Sequence, residues 1–173
     1  DSAFTVAFRL MGDSHRAADA AQDAFIAAYR KLDTYRGGNF RAWLLRIVTN
    51  RCYDLLRSQQ RHPHVSIERA GDEDDPEPME IPDSAATPEE IAQQHELRRA
   101  VQRCISALGE DQRMALVLSD VEGLSYDDIA LQTGAAMGTV KSRISRARAS
   151  VRDCLQAVRE LLPVGYRLKE NGT

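Results

Sequence analysis

Between Gly134 and Arg152 the chain carries Lys141, Arg143, Arg146, Arg148 and Arg152, and no acid. Fixed cations at that density neutralise phosphates, so the chemistry on offer is binding to a polyanion rather than bond making. A second set, Asn50, Arg51, Asp54, Arg57 and Arg61, mixes amide, carboxylate and guanidinium groups. Such groups hydrogen-bond base edges or phosphates, although the same run also suits an ordinary polar helix side. A third set, Asp19, Gln22, Asp23, Ile26 and Arg30, is mostly polar with an acidic bias. It reads either as a solvated face or as a docking surface for a basic partner.

Each set needs a helix to hold it. Val140, Ile144, Ala147 and Val151 recur at i, i+4, i+7 and i+11, which puts one apolar stripe behind the cations. Just upstream, Ser125-Tyr126-Asp127-Asp128 fits a capping box, with the Ser125 hydroxyl taking the Asp128 amide and the Asp128 carboxylate reaching back. Ile129 and Ala130 then bury, and Gly134 supplies a left-handed turn. Helix, Gly turn and basic helix in series make a helix-turn-helix, with the second helix as reader of a DNA major groove. A surface hairpin with a solvated basic side would share the charges but has no need of the caps and turn in that order.

The second set lies on a long helix from Phe40 to about Gln60, whose core face is Phe40, Trp43, Leu44, Ile47, Val48, Leu55 and Leu56. Its spacing places Trp43, the only tryptophan, in the core rather than on a stacking platform. The third set lies on a helix from Ser14 to about Leu32, capped by Asp13 or Ser14 and predicted to bury Ala21, Phe25, Ala28 and Leu32. Ahead of it, Phe4, Ala7, Phe8 and Met11 share a face of a first helix that Gly12 ends. Gly37-Gly38-Asn39 is a turn.

Residues 62–88 hold five of the six prolines, eight acids and one base, a net charge of −7 inside a chain whose total is −3. Such a segment buries too little apolar surface to offset its ordering entropy. It reads as a linker, either a plain tether or an acidic mimic of nucleic acid in a cationic channel. Thr87-Pro88-Glu89-Glu90 opens a helix with an N-cap, Pro in the first turn and acids at the positive end of the dipole. Ile91, Leu97, Val101 and Ile105 give that helix a core side, Leu108-Gly109 stops it, and Asp111 to Val121 forms the next. The basic helix runs toward Leu162, where Pro163 and Gly165 end it, and residues 164–173 are a tail. No strand pattern occurs. The fold class is all-α: two small helical bundles, 1–61 and 89–163, joined by a flexible acidic linker at 62–88.

The 173 residues are 43% hydrophobic and 28% charged, a globular balance. There is no phosphate loop, nucleophile elbow or HExxH, and His62 and His64 lie in the linker away from any zinc spacing. Asp19 and Asp23 share a helix face but have no third ligand, so no enzyme, metal or cofactor is expected. No apolar run suits a membrane span and no secretory signal is present. Asp1 in place of Met is expected to mark a truncated start. Cys52, Cys104 and Cys154 are about fifty residues apart and odd in number, which predicts buried free thiols and a reducing cytoplasm.

These motifs together resemble the bacterial RNA polymerase sigma factors of the extracytoplasmic-function (ECF) group. Ala20-Ala-Gln-Asp-Ala-Phe25 with Ala28-Tyr29 resembles the family's helix that grips the polymerase clamp. Phe40-Arg-Ala-Trp-Leu-Leu-Arg-Ile-Val-Thr-Asn-Arg51 with Asp54 and Arg57 resembles its promoter-opening helix. Gly123-Leu-Ser-Tyr-Asp-Asp-Ile-Ala130 with Gly138-Thr-Val-Lys-Ser-Arg-Ile-Ser-Arg-Ala-Arg148 resembles its helix-turn-helix. Response-regulator effector domains share the last motif, but not the Phe40–Arg61 helix.

The resemblance implies a transcription initiation factor. Asp19, Gln22, Asp23, Ile26 and Arg30 would bind the clamp. Asn50, Arg51, Asp54, Arg57 and Arg61 would meet the −10 element, where family members capture a flipped base. Lys141, Ser142, Ser145 and Arg146 would face the −35 element, with Thr139 and Arg143 contacting phosphates or supporting the helix. Core RNA polymerase (clamp and flap), promoter DNA and an anti-sigma factor are the implied partners. Two departures stand out: Ala136 sits where the family often has a capping Ser, and Ser145 where some relatives carry a larger aromatic.

Overall fold

The computed structural model describes residues 1–61 and 87–158, and every regular element among them is helical. Residues 62–86 of the expected linker and the tail lie outside the described residues, as does the expected stretch of the basic helix beyond 158, while Thr87 and Pro88 belong to the start of the next helix.

In the first half, α1 (Ser2–Met11) ends at Gly12, and α2 (Ser14–Arg30) begins at Asp13, whose Oδ1 accepts the Arg16 amide at 2.8 Å. A short 3₁₀ turn, Leu32–Thr34, leads toward α3 (Phe40–Arg61), which Asn39 opens by accepting the Ala42 amide on its Oδ1 at 3.1 Å. Val6 and Leu10 of α1 meet Leu45, Val48 and Cys52 of α3, all fully buried. Each such aliphatic side chain stabilises the bundle by about 1.5–3 kcal/mol.

The register of α2 differs from the sequence expectation. Ala21 and Ala28 are buried as expected, but the rest of the buried face is Ala17, Ala20 and Ala24, while Phe25 and Leu32 are half exposed. Small side chains let α2 approach α1 and α3 closely, and the bulky ones are left outside. Phe40 likewise faces out, and Leu45 takes the central place in the α3 core. Trp43 is half-buried, against Tyr35 and Phe40, with ring centroids 5.4–5.5 Å apart in the three pairs.

In the second half, α4 (Pro88–Ser106) starts from a complete capping box: the Glu90 amide donates to Thr87 Oγ1 at 3.3 Å, and Glu90 Oε2 accepts the Thr87 amide at 2.8 Å. Next come α5 (Glu110–Leu116), a π-helical turn (Val117–Val121), α6 (Tyr126–Thr133) and α7 (Met137–Gln156). Val140, Ile144 and Ala147 of α7 are buried with Leu116, Leu118, Leu124 and Ile129, so the stripe read from sequence does face the core.

The cysteines depart from expectation. Cys104 of α4 and Cys154 of α7 form a disulfide with their Cα atoms 5.7 Å apart, and only Cys52 is a free, buried thiol. A sequence separation of 50 hid the pairing, which arises because α4 and α7 lie side by side.

Both bundles are present, and they also pack on each other: α1 against α4, and α3 against α6, within one continuous core. Polar side chains of each half reach into the other. Arg113 Nη1 donates to the Leu10 carbonyl at 2.8 Å, and Tyr53 Oη to the Glu110 carbonyl at 2.8 Å. Gln132 donates to the Ala42 carbonyl. Arg41 donates to the Glu122 carboxylate at 2.5 Å and to its carbonyl at 2.7 Å, although the Glu122 side chain is only 3% exposed.

Candidate nucleic-acid interface

The helix-turn-helix is built as its residues require. Ser125 caps α6 by accepting the Asp128 amide at 3.1 Å. The Asp128 carboxylate, expected to return to the backbone, instead accepts the Ser125 hydroxyl at 2.9 Å and the Asn39 amide of the first half at 3.0 Å. Gly134 ends α6 at φ +66°, a left-handed backbone that a Cβ would strain. Ala136 is the N-cap of α7 and offers no side-chain hydrogen bond, as its residue type dictates.

With the apolar stripe buried, the opposite side of α7 is presented outward. Thr139, Lys141, Ser142, Ser145 and Arg146 are exposed, and the Ser142 hydroxyl donates to the Thr139 carbonyl at 2.9 Å. Arg143 is half-buried and pairs with Asp111, tying α7 to α5, so in this structure it supports the helix. Lys141, Ser145, Arg148 and Arg152, at i, i+4, i+7 and i+11, line one shallow cleft with Tyr126 and Ile144. Arg148 and Arg152, cations of the basic helix not assigned to the −35 element, join this cleft, and Tyr126 is new to it. The two arginines were legible from that spacing, whereas Tyr126 enters only through the fold.

Arg148 is set by Asp120, to which it donates twice, Nε at 2.8 Å and Nη2 at 2.6 Å. That hydrogen bonding holds the Asp120 carboxyl below the usual carboxylate range and raises the guanidinium pKa further. The pair is a planar, two-point ion pair that aims Arg148 along the cleft wall.

The first-half residues are divided by the structure. Asn50 and Asp54 are exposed on α3. Arg51 is committed to Asp23 of α2, at 2.5 and 3.1 Å, which joins one expected −10 residue to one expected polymerase-binding residue. Arg57 pairs with Glu110 of the second half at 2.8 Å. Arg61 closes α3, and its side chain lies outside the described residues. On α2, Asp19, Gln22, Ile26 and Arg30 are exposed beside Phe25 and Tyr29, the latter 82% exposed. Ile26 lies outward as its set predicted, whereas Phe25 was expected in the core, which its periodicity suits equally well.

Tyr53 and Cys52 lie on the inner side of α3. Burial raises the Tyr53 hydroxyl above its ordinary range and pushes the Cys52 thiol up to about 12. Among the described residues no group of three or more His, Cys, Asp or Glu side chains is gathered to hold a metal ion, and no helix is long and apolar enough to cross a membrane.

Comparison with known proteins decides the family. The family model for Sigma-70 region 2 matches residues 2–62, and that for Sigma-70, region 4 matches residues 98–151. The ECF RNA polymerase sigma-E factor of Escherichia coli is 40% identical over 139 residues, 80% of this chain and 73% of that protein. The chain belongs to the ECF sigma factors. The ECF RNA polymerase sigma factor SigE of Mycolicibacterium smegmatis is 37% identical over 155 residues, 90% of this chain. The chain spans only 58% of that relative's length. Among solved structures, it is similar to the sigma factor RpoE of Bartonella quintana in complex with the anti-sigma factor NepR, with a TM-score of 0.65 and 28% identity. That match covers 88% of this chain and 89% of RpoE. It is also similar to CnrH in complex with the cytosolic domain of CnrY, with a TM-score of 0.62 and 29% identity over 90% of this chain and 81% of CnrH. An ECF sigma factor with both regions is a transcription initiation factor, and the exposed basic side of α7 falls within region 4.

Proposed function

We propose that this chain binds core RNA polymerase in the cytoplasm and directs it to promoters, the first half meeting the −10 element and the second the −35 element. The observation that carries the reading is α7. Its cations and hydroxyls face outward behind a capped α6 and a Gly134 turn, on a stripe of buried aliphatics. Lys141, Ser142, Ser145 and Arg146 take base edges, Thr139 takes phosphate, and Arg143 braces the helix. Asn50, Asp54, Arg57 and Arg61 take the −10 strand, with Arg51 positioned by Asp23. The α2 face bearing Asp19, Gln22, Ile26 and Arg30 docks on the polymerase, where its exposed apolar members gain cover. RpoE was solved with an anti-sigma factor and CnrH with the cytosolic domain of CnrY, and the RpoE complex supports an anti-sigma partner for this chain as well.

The closed packing of the halves sets a condition on this function. Elements centred near −10 and −35 are about 25 base pairs apart, or ~85 Å at ~3.4 Å per pair. A folded chain of this length has a radius of gyration of only about 16 Å. The halves therefore part before both elements are held, and Arg57 leaves Glu110 as they do.

Run-off transcription with core enzyme tests the reading. Lys141→Ala and Arg146→Ala each remove hydrogen bonds to a base edge, worth roughly 1–3 kcal/mol for a bidentate pair. Each variant therefore lowers −35-dependent initiation about tenfold, with core binding unchanged. Wild-type transcription from both variants would refute the assignment.

A further inference from the structure

The disulfide is unexplained by promoter reading. Cys104 lies near the C-terminal end of α4 and Cys154 near that of α7, and the bond closes a loop that contains α5, α6 and the Gly134 turn. Arg152, two residues before Cys154, lines the cleft with Lys141 and Ser145. The last turn of α7 carries no basic side chain to meet its carbonyl dipole, so packing and this bond are what hold it down. A protein that works beside cytoplasmic polymerase meets a thiol-reducing pool, where disulfides are usually transient and often redox-sensing.

We propose that Cys104 and Cys154 are a reversible thiol–disulfide switch on the −35 reader, closed by a peroxide and opened by a dithiol reductant. This rests on the promoter-reading function for its biological output but not for its chemistry. Cys154 is the more accessible sulfur, since Cys104 is 3% exposed. The Cys154 thiolate attacks one peroxide oxygen, the O–O bond breaks, and the leaving hydroxide takes a proton to become water. The Cys104 thiol then attacks the sulfenic sulfur, the S–S bond forms, and the hydroxyl leaves with the thiol proton as a second water. Two thiols lose two electrons and hydrogen peroxide gains them. In the return step a dithiol exchanges through a mixed disulfide and leaves as its own disulfide. The closed bond pins the end of α7 to α4 and steadies the cleft; the open form lets that turn fray.

The test uses the full chain, treated with hydrogen peroxide and then catalase, or with dithiothreitol. Alkylation after denaturation, read by intact mass, gives one reactive thiol in the oxidised chain, Cys52, and three in the reduced chain. Amide exchange in the last turn of α7 slows at least tenfold on oxidation, and −35-dependent transcription with core rises at least threefold. Cys104→Ser and Cys154→Ser hold the reduced level in both conditions; the second replaces a part-exposed group and spares the core. Three thiols after peroxide would overturn the switch, as would equal amide exchange in the two states or equal transcription by two active forms. Oxidation-dependent thiol counts and exchange without transcription in either state would instead sink the sigma-factor reading and leave the redox pair standing.

Discussion

Arg41→Ala strikes the latch between the two halves without touching either core. Glu122 has a side chain 3% exposed, while that of Arg41 is 50% exposed. Removing one partner of a fully buried pair costs about 3–5 kcal/mol, and a solvent-exposed pair is worth about 0–1 kcal/mol. This pair is buried on one side only, and Arg41 also serves the Glu122 carbonyl, so the closed state loses about 2 kcal/mol. Opening the halves lets water reach Glu122, so the loss falls on the closed arrangement and not on the helices themselves. At about 1.4 kcal/mol per tenfold, the closed-to-open ratio falls about 30-fold. Apparent affinity for a partner that takes only the open form rises in proportion to the open fraction. Core RNA polymerase titrated with a fluorescent chain therefore binds Arg41→Ala up to about 30-fold more tightly, with far-ultraviolet circular dichroism unchanged. Glu122→Gln, which keeps an acceptor but drops the charge, shows a smaller gain in the same direction. Unchanged core affinity in both variants, with helix content intact, would refute the idea that the closed packing competes with binding.

Three further outcomes follow from the same geometry. Ala136→Ser supplies the missing cap of α7 and stabilises the second half by about 1 kcal/mol, read as a higher unfolding midpoint in urea. Gly134→Ala places a Cβ at φ +66° with open space around it, so its effect is backbone strain of about 1–2 kcal/mol, and the same titration shows the midpoint lowered. Cys52 keeps its proton in the fold because burial pushes its thiol from 9.0 up to about 12. The unfolded chain then loses a proton that the native chain keeps, so this group's contribution to stability is constant below pH ~9 and falls as pH rises toward 12. Cys52→Ala removes that alkaline slope, measured by urea titrations at pH 8 and pH 10.

The helix-turn-helix was legible because its signals are local. Ser125, Gly134 and the Val140 stripe each act within one or two turns of the chain and do in the fold what their residue types predict, whereas the Asp128 carboxylate turns to Ser125 and to Asn39 of the other half. Helix α2 was misread because periodicity counts large apolar residues, and Phe25 and Leu32 share a face as neatly as Ala17, Ala20 and Ala24 do. The disulfide and the Arg41–Glu122 contact depend on which helices become neighbours, 50 and 81 residues apart in sequence, and no local pattern encodes that. Among the candidate residues of α7, Thr139, Lys141, Ser142, Ser145 and Arg146 lie outward as their helical spacing predicts. Arg51, Arg57 and Arg143 each meet an acid on another helix, Asp23, Glu110 and Asp111, and such long-range pairs leave no local pattern.

The alanine face of α2 has an outward consequence. By giving its interior side to methyl groups, the helix leaves Phe25, Ile26 and Tyr29 in water, with Leu32 of the following turn exposed as well. A chain built this way is poorly suited to solitude. A partner that covered these side chains would bury all four at once and gain most of its hold from them.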